Sequence, residues 1–167
     1  PALSDVDDAL AADAPQLWGE APRNTCFEWE VGDRTAKDAA LARAAHVTRL
    51  TLDNNRLICV FMEPRGALGA VDPANDAIIL YGSGQGAHRF RETLSYCLGV
   101  EAETVRVVIG DVGGGFGPRG FFYPENLLVV WAARRLRRPV KWTGDRQESF
   151  LTDVQARGHR MHCELAV

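Results

Sequence analysis

A glutamine and a phenylalanine stand in two glycine-rich stretches, and through these residues the chain could do chemistry. "YGSGQG" (Tyr81–Gly86) carries Gln85, and "GDVGGGFGPRG" (Gly110–Gly120) carries Phe116 and spends six glycines in eleven residues. Glycine loses the most backbone freedom on ordering, so a run of it is accepted where positive φ is needed or where something approaches the backbone closely. A row of bare N–H groups beside a helix N-terminus favours an anionic or strongly polar ligand. The expectation is therefore a site made of backbone amides, with Gln85 and Phe116 as the sizeable neutral side chains it offers. Against it stands the plainer reading that each loop serves a tight turn alone.

Other chemistries are poorly supplied. The histidines (His46, His88, His159, His162) form no H-E-x-x-H set, and the cysteines (Cys26, Cys59, Cys97, Cys163) lie far apart with no C-x-x-C pair. No protein side chain is expected to ligate a metal. Three of the cysteines sit in apolar stretches and are expected to be structural, as small hydrophobes, in a reducing, cytoplasmic setting. Gly115, Gly117 and Gly120 fit G-x-G-x-x-G, with Asp145 as a candidate ribose-binding acid, so a self-sufficient dinucleotide- or anion-binding module stays open as the alternative. Pro118 and Pro124 weigh against it, because the fingerprint needs a helix that begins inside the motif. No Gly-Lys-Ser/Thr follows, which excludes a P-loop. A net charge of −3 gives no reason to expect nucleic acid or an anionic membrane as partner. No apolar run approaches the roughly 18 residues of a membrane span.

The elements that must position the two loops can be read from periodicity. Residues 1–25 read as an irregular arm, and 26–167 as one domain. "TAKDAALARAAH" reads as a helix with Thr35 as N-cap. Val47–Leu52 and Leu57–Glu63, flanking "DNN", look like a β-hairpin. "RGALGAV" and "AIILYGS" continue in extended form around the turn "DPAND". "GAHRFRETLSYCLG" has helical spacing at Ala87, Phe90, Leu94, Cys97 and Leu98, with Gly99 as C-cap. "TVRVVIG" is a strand, "PENLLVVWAARRLRR" a helix with Pro124 in its first turn, and "PVKWT" a strand. Asp145 caps a short helix, and "RMHCELAV" alternates with Met161, Cys163, Leu165 and Val167 facing inward. The fold class expected is α+β: a two-layer, mixed β-sheet in which a β-hairpin precedes β-α-β-α-β, with helices packed against the sheet. The glycine-rich loops then leave parallel strands at one edge, where open sheets of this kind bind ligands.

Three blocks in order, M-E-P-R (Met62–Arg65), G-S-G-Q-G (Gly82–Gly86) and G-G-G-F-G (Gly113–Gly117), make the chain resemble the molybdenum-cofactor-binding large subunit of the xanthine dehydrogenase, aldehyde oxidase and carbon monoxide dehydrogenase family. The likeness runs from about Ala14 to Val167. It implies a molybdenum ion held by the dithiolene sulfurs of a molybdopterin, in its cytosine dinucleotide form, rather than by protein side chains. It implies that Gln85 hydrogen-bonds an oxygen ligand of the metal, that Gly86 and Gly114, Gly115, Phe116 and Gly117 bring backbone against the cofactor, and that Phe116 walls the substrate pocket. The family chemistry is oxidative hydroxylation of an aldehyde, a heterocycle or a CO-like small substrate, with electrons leaving through iron–sulfur and FAD partners. The essential glutamate general base belongs to a G-x-G-E block that this chain does not contain. Where purine-specific members place a glutamate, Gly120 stands here. Glu63 and Arg65 could line the site or form a buried structural ion pair. The resemblance, with Pro1 opening the chain, implies a first cofactor-binding domain of a longer subunit, inactive alone. Its partners would be the remainder of that subunit and further copies of itself, the latter through apolar surface left uncovered.

Overall fold

The computed structural model describes residues 3–167. In chain order the elements are α1 (Val6–Leu10), α2 (Arg34–Arg43), β1 (Val47–Asn54), β2 (Leu57–Ile58), β3 (Gly66–Val71), β4 (Ile78–Gly82), α3 (Ala87–Leu98), β5 (Val105–Ile109), α4 (Pro124–Leu136), β6 (Val140–Thr143), α5 (Arg146–Thr152), β7 (Gln155–Ala156) and β8 (His159–Ala166). They fall into two compact units: one from residues up to Arg56 together with Arg157–Val167, the other Leu57–Ala156.

The unit Leu57–Ala156 holds a four-stranded sheet in the order β5-β4-β3-β6. β4 and β5 are parallel, while β3 is antiparallel to both β4 and β6. The class is thus α+β with a mixed sheet, as its residue pattern suggests. Ala67, Ile78, Leu80 and Val105 are buried at alternate positions, so they share one face. Phe90 and Leu94 of α3 and Val129 and Val130 of α4 complete the same core. The spacing 90/94 and 126/129/130/133 on the helices is the 3.6-residue period read along one stripe. Burying each large apolar side chain contributes about 1.5–3 kcal/mol. Gly99 ends α3 in the left-handed region, at φ 63°, with its N–H turned back to Ser95 and Tyr96 carbonyls. Asp145 Oδ1 accepts from the Glu148 N–H at 2.7 Å and opens α5.

Several expectations are corrected. Residues 47–52 and 57–63 do not form a hairpin: β1 pairs antiparallel with β8 along its whole length, and β2 pairs with β7. β1 runs on into the "DNN" stretch, as far as Asn54, and the chain leaves strand geometry after Ile58, with Phe61 turned into the interior at 1% exposure. The hairpin in the sheet is β3–β4, closed at Asp72–Asp76, where Asp72 N–H donates to the Ala77 carbonyl at 2.9 Å. β8 consequently lies outside the four-stranded sheet, so the β-α-β-α-β reading loses its last strand. Met161 and Leu165 share a ribbon face with Leu52 and Leu50 but are exposed, as is Val167. The opposite face is a charge ladder, with Arg49 to Glu164 at 2.8 Å and Arg160 to Asp53 at 2.6 Å. Those partners lie over a hundred residues apart, which local pattern cannot anticipate. α2 is capped by Asp33, whose Oδ1 accepts from Ala36 N–H at 2.9 Å, and Thr35 lies inside the helix. The segment expected to be irregular includes α1, capped by Asp5. None of the cysteines is buried: Cys26, Cys97 and Cys163 are exposed and Cys59 is half-buried, all as free thiols. Cys97 keeps the helical period of Phe90 and Leu94 but lies in the last turn of α3, where it is exposed, and Cys163 lies on an open two-stranded ribbon. Among the described residues no helix is long and apolar enough to cross a membrane.

The sheet and α4 approach most closely at Gly69, where an added Cβ would lie 2.4 Å from the Val129 carbonyl oxygen and 2.6 Å from the Val130 Cα. Backbone cannot yield as a side-chain tip can, so Gly69→Ala is expected to cost about 2–3 kcal/mol. Gly66→Ala, 3.6 Å from its nearest neighbour, should stay within about 0.5 kcal/mol. Urea denaturation of the two variants checks this, and equal midpoints would contradict the packing described.

Candidate functional site

Gly82 and Ile109 are register partners at the ends of parallel strands β4 and β5. The two glycine-rich loops therefore leave neighbouring strands at the same edge. β6 runs in the same direction as β4, since both are antiparallel to β3, and Gly144–Asp145 emerges there as well. The structure brings Gln85 and the 113–117 stretch into contact: Gly117 N–H donates to Gln85 Oε1 at 2.9 Å, and Gln85 N–H donates to the Arg119 carbonyl at 3.0 Å. A cavity of about 440 Å³ exists at the opposite end of these strands, lined by Val71, Ile78, Val100 and Arg134 among others, and it contains no residue of either loop.

The glycines have separable reasons. A Cβ on Gly113 would lie 2.5 Å from Glu63 Cβ, one on Gly114 would lie 2.9 Å from Phe61 Cβ, and one on Gly115 would lie 2.7 Å from Gln85 Cδ. These positions are bare because the loop lies directly on its own neighbours. Gly84 is bare because the Phe90 ring stands 2.7 Å from where its Cβ would be. Gly114 also adopts φ +103°, so conformation and crowding both require glycine there; at Gly117, with φ +104° and nothing within 4 Å, conformation alone does. Phe116 also sits in the left-handed region at φ 47°, yet its side chain is 72% exposed. Holding a phenylalanine there costs about 1–2 kcal/mol, and an exposed ring returns nothing for it in the free chain. Backbone strain of this kind clusters at ligand sites.

Beneath the loops lies an ionic cluster in which Glu63, a candidate from the sequence, is joined by Ser83 and Arg119, which sequence reasoning missed. Glu63 Oε2 accepts from Gly113 N–H at 2.8 Å, from Ser83 Oγ at 2.9 Å and from Arg119 Nη1 at 3.1 Å. The Arg119 side chain is 1% exposed and stacks 4.4 Å over the Phe61 ring. Its guanidinium also donates to Ser83 Oγ and to the Glu63 carbonyl. Burial works to raise the Glu63 pKa, but the Gly113 amide, the Ser83 hydroxyl and the Arg119 charge outweigh it and hold the carboxyl below its ordinary range. Glu63 and Arg65 are not paired with each other. Arg65 instead lies 3.2 Å from both Glu125 and Asp153 and stacks 3.8 Å over Tyr123. Arg146 donates to the Met62 carbonyl at 2.7 Å, and Asp145 serves as a cap. The one sequence signal for Arg119 is an arginine inside a glycine-rich stretch; its partner Glu63 stands 56 residues earlier.

The donors left over define what the site can hold. Gln85 Oε1 is occupied, and among the described residues nothing accepts from Gln85 Nε2 or from the N–H groups of Gly114, Gly115 and Phe116. These are neutral donors suited to oxygen atoms of a ligand. Among the described residues no group of three His, Cys, Asp or Glu could hold a metal ion. The donor set fits a metal that arrives inside a cofactor with its own sulfur ligands. It fits a dinucleotide fingerprint less well, because α4 begins at Pro124, beyond Gly120, and a short 3-10 turn occupies Pro118–Gly120.

The Glu63 geometry carries a pH consequence. A carboxyl whose pKa is lowered by folding stabilises the fold above its unfolded value of 4.5, and that contribution is lost as pH falls through the folded value. Glu63→Gln is expected to cost about 1 kcal/mol at pH 7, solvent screening of the 39%-exposed carboxylate keeping the loss small. The gap from wild type should begin to close as pH drops below 4.5 and be gone once pH has passed the lower folded value, where Glu63 itself becomes neutral in the fold. Thermal unfolding from pH 7 to pH 3 checks this; a gap that stays constant with pH would contradict it.

A molybdopterin cofactor-binding domain family model matches residues 17–167. The carbon monoxide dehydrogenase large chain of Hydrogenophaga pseudoflava is 34% identical over 99% of this chain and 22% of its own length. The 6-hydroxypseudooxynicotine dehydrogenase complex subunit gamma of Paenarthrobacter nicotinovorans is 34% identical over 100% of this chain and 20% of its own length. A solved Cu,Mo-CO dehydrogenase in its carbon monoxide reduced state matches with a TM-score of 0.88 at 29% identity, over 100% of this chain and 22% of that one. The chain spans about a fifth of the length of these relatives. With bare amides and a glutamine amide drawn together at one sheet edge, and these relatives beside it, the chain belongs to the molybdopterin cofactor-binding domain family.

Proposed function

We propose that this chain supplies part of the molybdenum-cofactor site of a molybdenum hydroxylase large subunit, and that the site lies at the edge where the two glycine-rich loops meet. The observation that carries the reading is the Gly117 N–H to Gln85 Oε1 hydrogen bond at 2.9 Å, which joins the loops and leaves Gln85 Nε2 as a donor. Gln85 offers that amide to an oxygen of the bound group. Gly86 opens α3 without a side-chain cap, so first-turn N–H groups remain for acceptors there. Gly114, Gly115, Phe116 and Gly117 present backbone to the cofactor, and the exposed Phe116 ring walls the space a small substrate would enter. When bound, the molybdenum cofactor, in its cytosine dinucleotide form, supplies the two-electron redox chemistry of oxidative hydroxylation. The substrate class is an aldehyde, a heterocycle or a CO-like small molecule.

The general base and the remaining cofactor contacts come from the rest of a longer, cytoplasmic subunit, and electrons pass to iron–sulfur and FAD partners. Residues 26–167 are the domain that does this work and 1–25 an arm. Alone, the chain carries half a site, is inactive and self-associates through its exposed apolar side chains, among them Trp18, Phe27 and Trp29.

Molybdenum per polypeptide, measured by elemental analysis of the full-length gene product, tests the reading. Near-stoichiometric metal is expected in the wild type. Gln85→Ala removes one hydrogen-bonding side chain at an exposed position, so it should weaken cofactor retention about five- to tenfold without shifting the melting temperature of the cofactor-free protein. Absence of molybdenum from the wild type, with a tightly bound nicotinamide or adenine nucleotide in its place, would overturn the proposal.

A further inference from the structure

We infer that Arg119 is a positioning residue: its buried guanidinium sets the arrangement of Gln85 and the 113–117 loop from beneath, without touching a ligand. The inference rests on reading these loops as the cofactor site. Three segments distant in sequence meet at this one side chain. Nη1 is 3.1 Å from Glu63 Oε2 and also donates to Ser83 Oγ, which begins the Gln85 loop. Nη2 donates to the Glu63 carbonyl. Glu63 in turn is bonded twice to the second loop, its Oε2 accepting from Gly113 N–H at 2.8 Å and its own N–H donating to the Gly113 carbonyl at 3.1 Å. The main chain of the same arginine accepts from Gln85 N–H at 3.0 Å. Removing the guanidinium therefore withdraws the one donor that Ser83 of the first loop and Glu63, the support of the second, have in common, and loosens both.

A stabilising role alone explains this arrangement poorly. A buried ion pair is weak grounds for stability, since an apolar residue of similar volume often does as well. Here the pairing is incomplete: Arg119 Nε is buried without a hydrogen-bond partner, and Glu63 is 39% exposed. What an apolar side chain cannot supply is direction. The planar fork addresses several acceptors at fixed angles, which lysine, a single point charge, does not reproduce.

The test is hydrogen–deuterium exchange read by mass spectrometry in the full-length protein that carries this chain, beside its melting temperature and molybdenum content. In Arg119→Met, peptides covering residues 83–86 and 110–117 should exchange about tenfold faster, while those covering β4 and β5 stay at the wild-type rate. Faster exchange spread evenly over the core, or no change in the loops, would overturn the inference. If Arg119→Met does not fold, Arg119→Lys decides. It should keep the melting temperature and give loop exchange between wild type and fully released, and wild-type exchange in the lysine variant would overturn the role of the fork. Wild-type protein without molybdenum would end the cofactor reading and leave the exchange result to decide Arg119 separately.

Discussion

A guanidinium at 1% exposure is the constraint around which the candidate site is arranged. Taking a cation out of water costs several kcal/mol unless charge and hydrogen bonds replace its hydration. Around Arg119 the replacements come from Glu63, Ser83 and the Phe61 ring. Each belongs to a segment that would otherwise be free to choose its path. The charge therefore acts on the loops as a demand for specific partners in specific places. Apolar packing, which is tolerant of direction, could hold the same atoms together without fixing which way Gln85 and the amides face.

The glycines and the ionic cluster are two halves of one device. Gly113, Gly114 and Gly115 lie flat on Glu63, Phe61 and Gln85 because they have no Cβ, and lying flat is what brings the Gly113 N–H onto the carboxylate. The strain at Phe116 and the left-handed turn at Gly117 then bend the chain so that Gly117 N–H meets Gln85 Oε1. The result is a shallow surface of unpartnered neutral donors over a charged, buried support. Such a surface suits a large ligand that carries oxygen acceptors and brings its own metal ligands.

Much of this was legible in the chain, and what was not has a common cause. α3 with its Gly99 cap, α4 behind Pro124, β5 and the Asp145 cap follow from residues within a few positions of one another. The placement of both glycine-rich loops at one edge followed from a strand-helix-strand order that makes β4 and β5 parallel. The partners of β1 and of Arg119 did not, because β8 and Glu63 are distant in sequence and nothing local marks them. Alternation in "RMHCELAV" correctly signalled a strand, but period alone does not say whether a second layer covers its apolar face. In the cysteines, an apolar neighbourhood in sequence is not an apolar neighbourhood in space: Cys97 has the period of Phe90 and Leu94, yet in the last turn of α3 it is exposed.

The most direct measurement is a high-resolution structure of the full-length protein purified with its cofactor. The account predicts Gln85 Nε2 within hydrogen-bonding distance of an oxygen at the metal, the amides of Gly114–Phe116 facing the bound group, and the Gln85–Gly117 contact retained. A cofactor bound elsewhere, with both loops facing only protein or solvent, would contradict it.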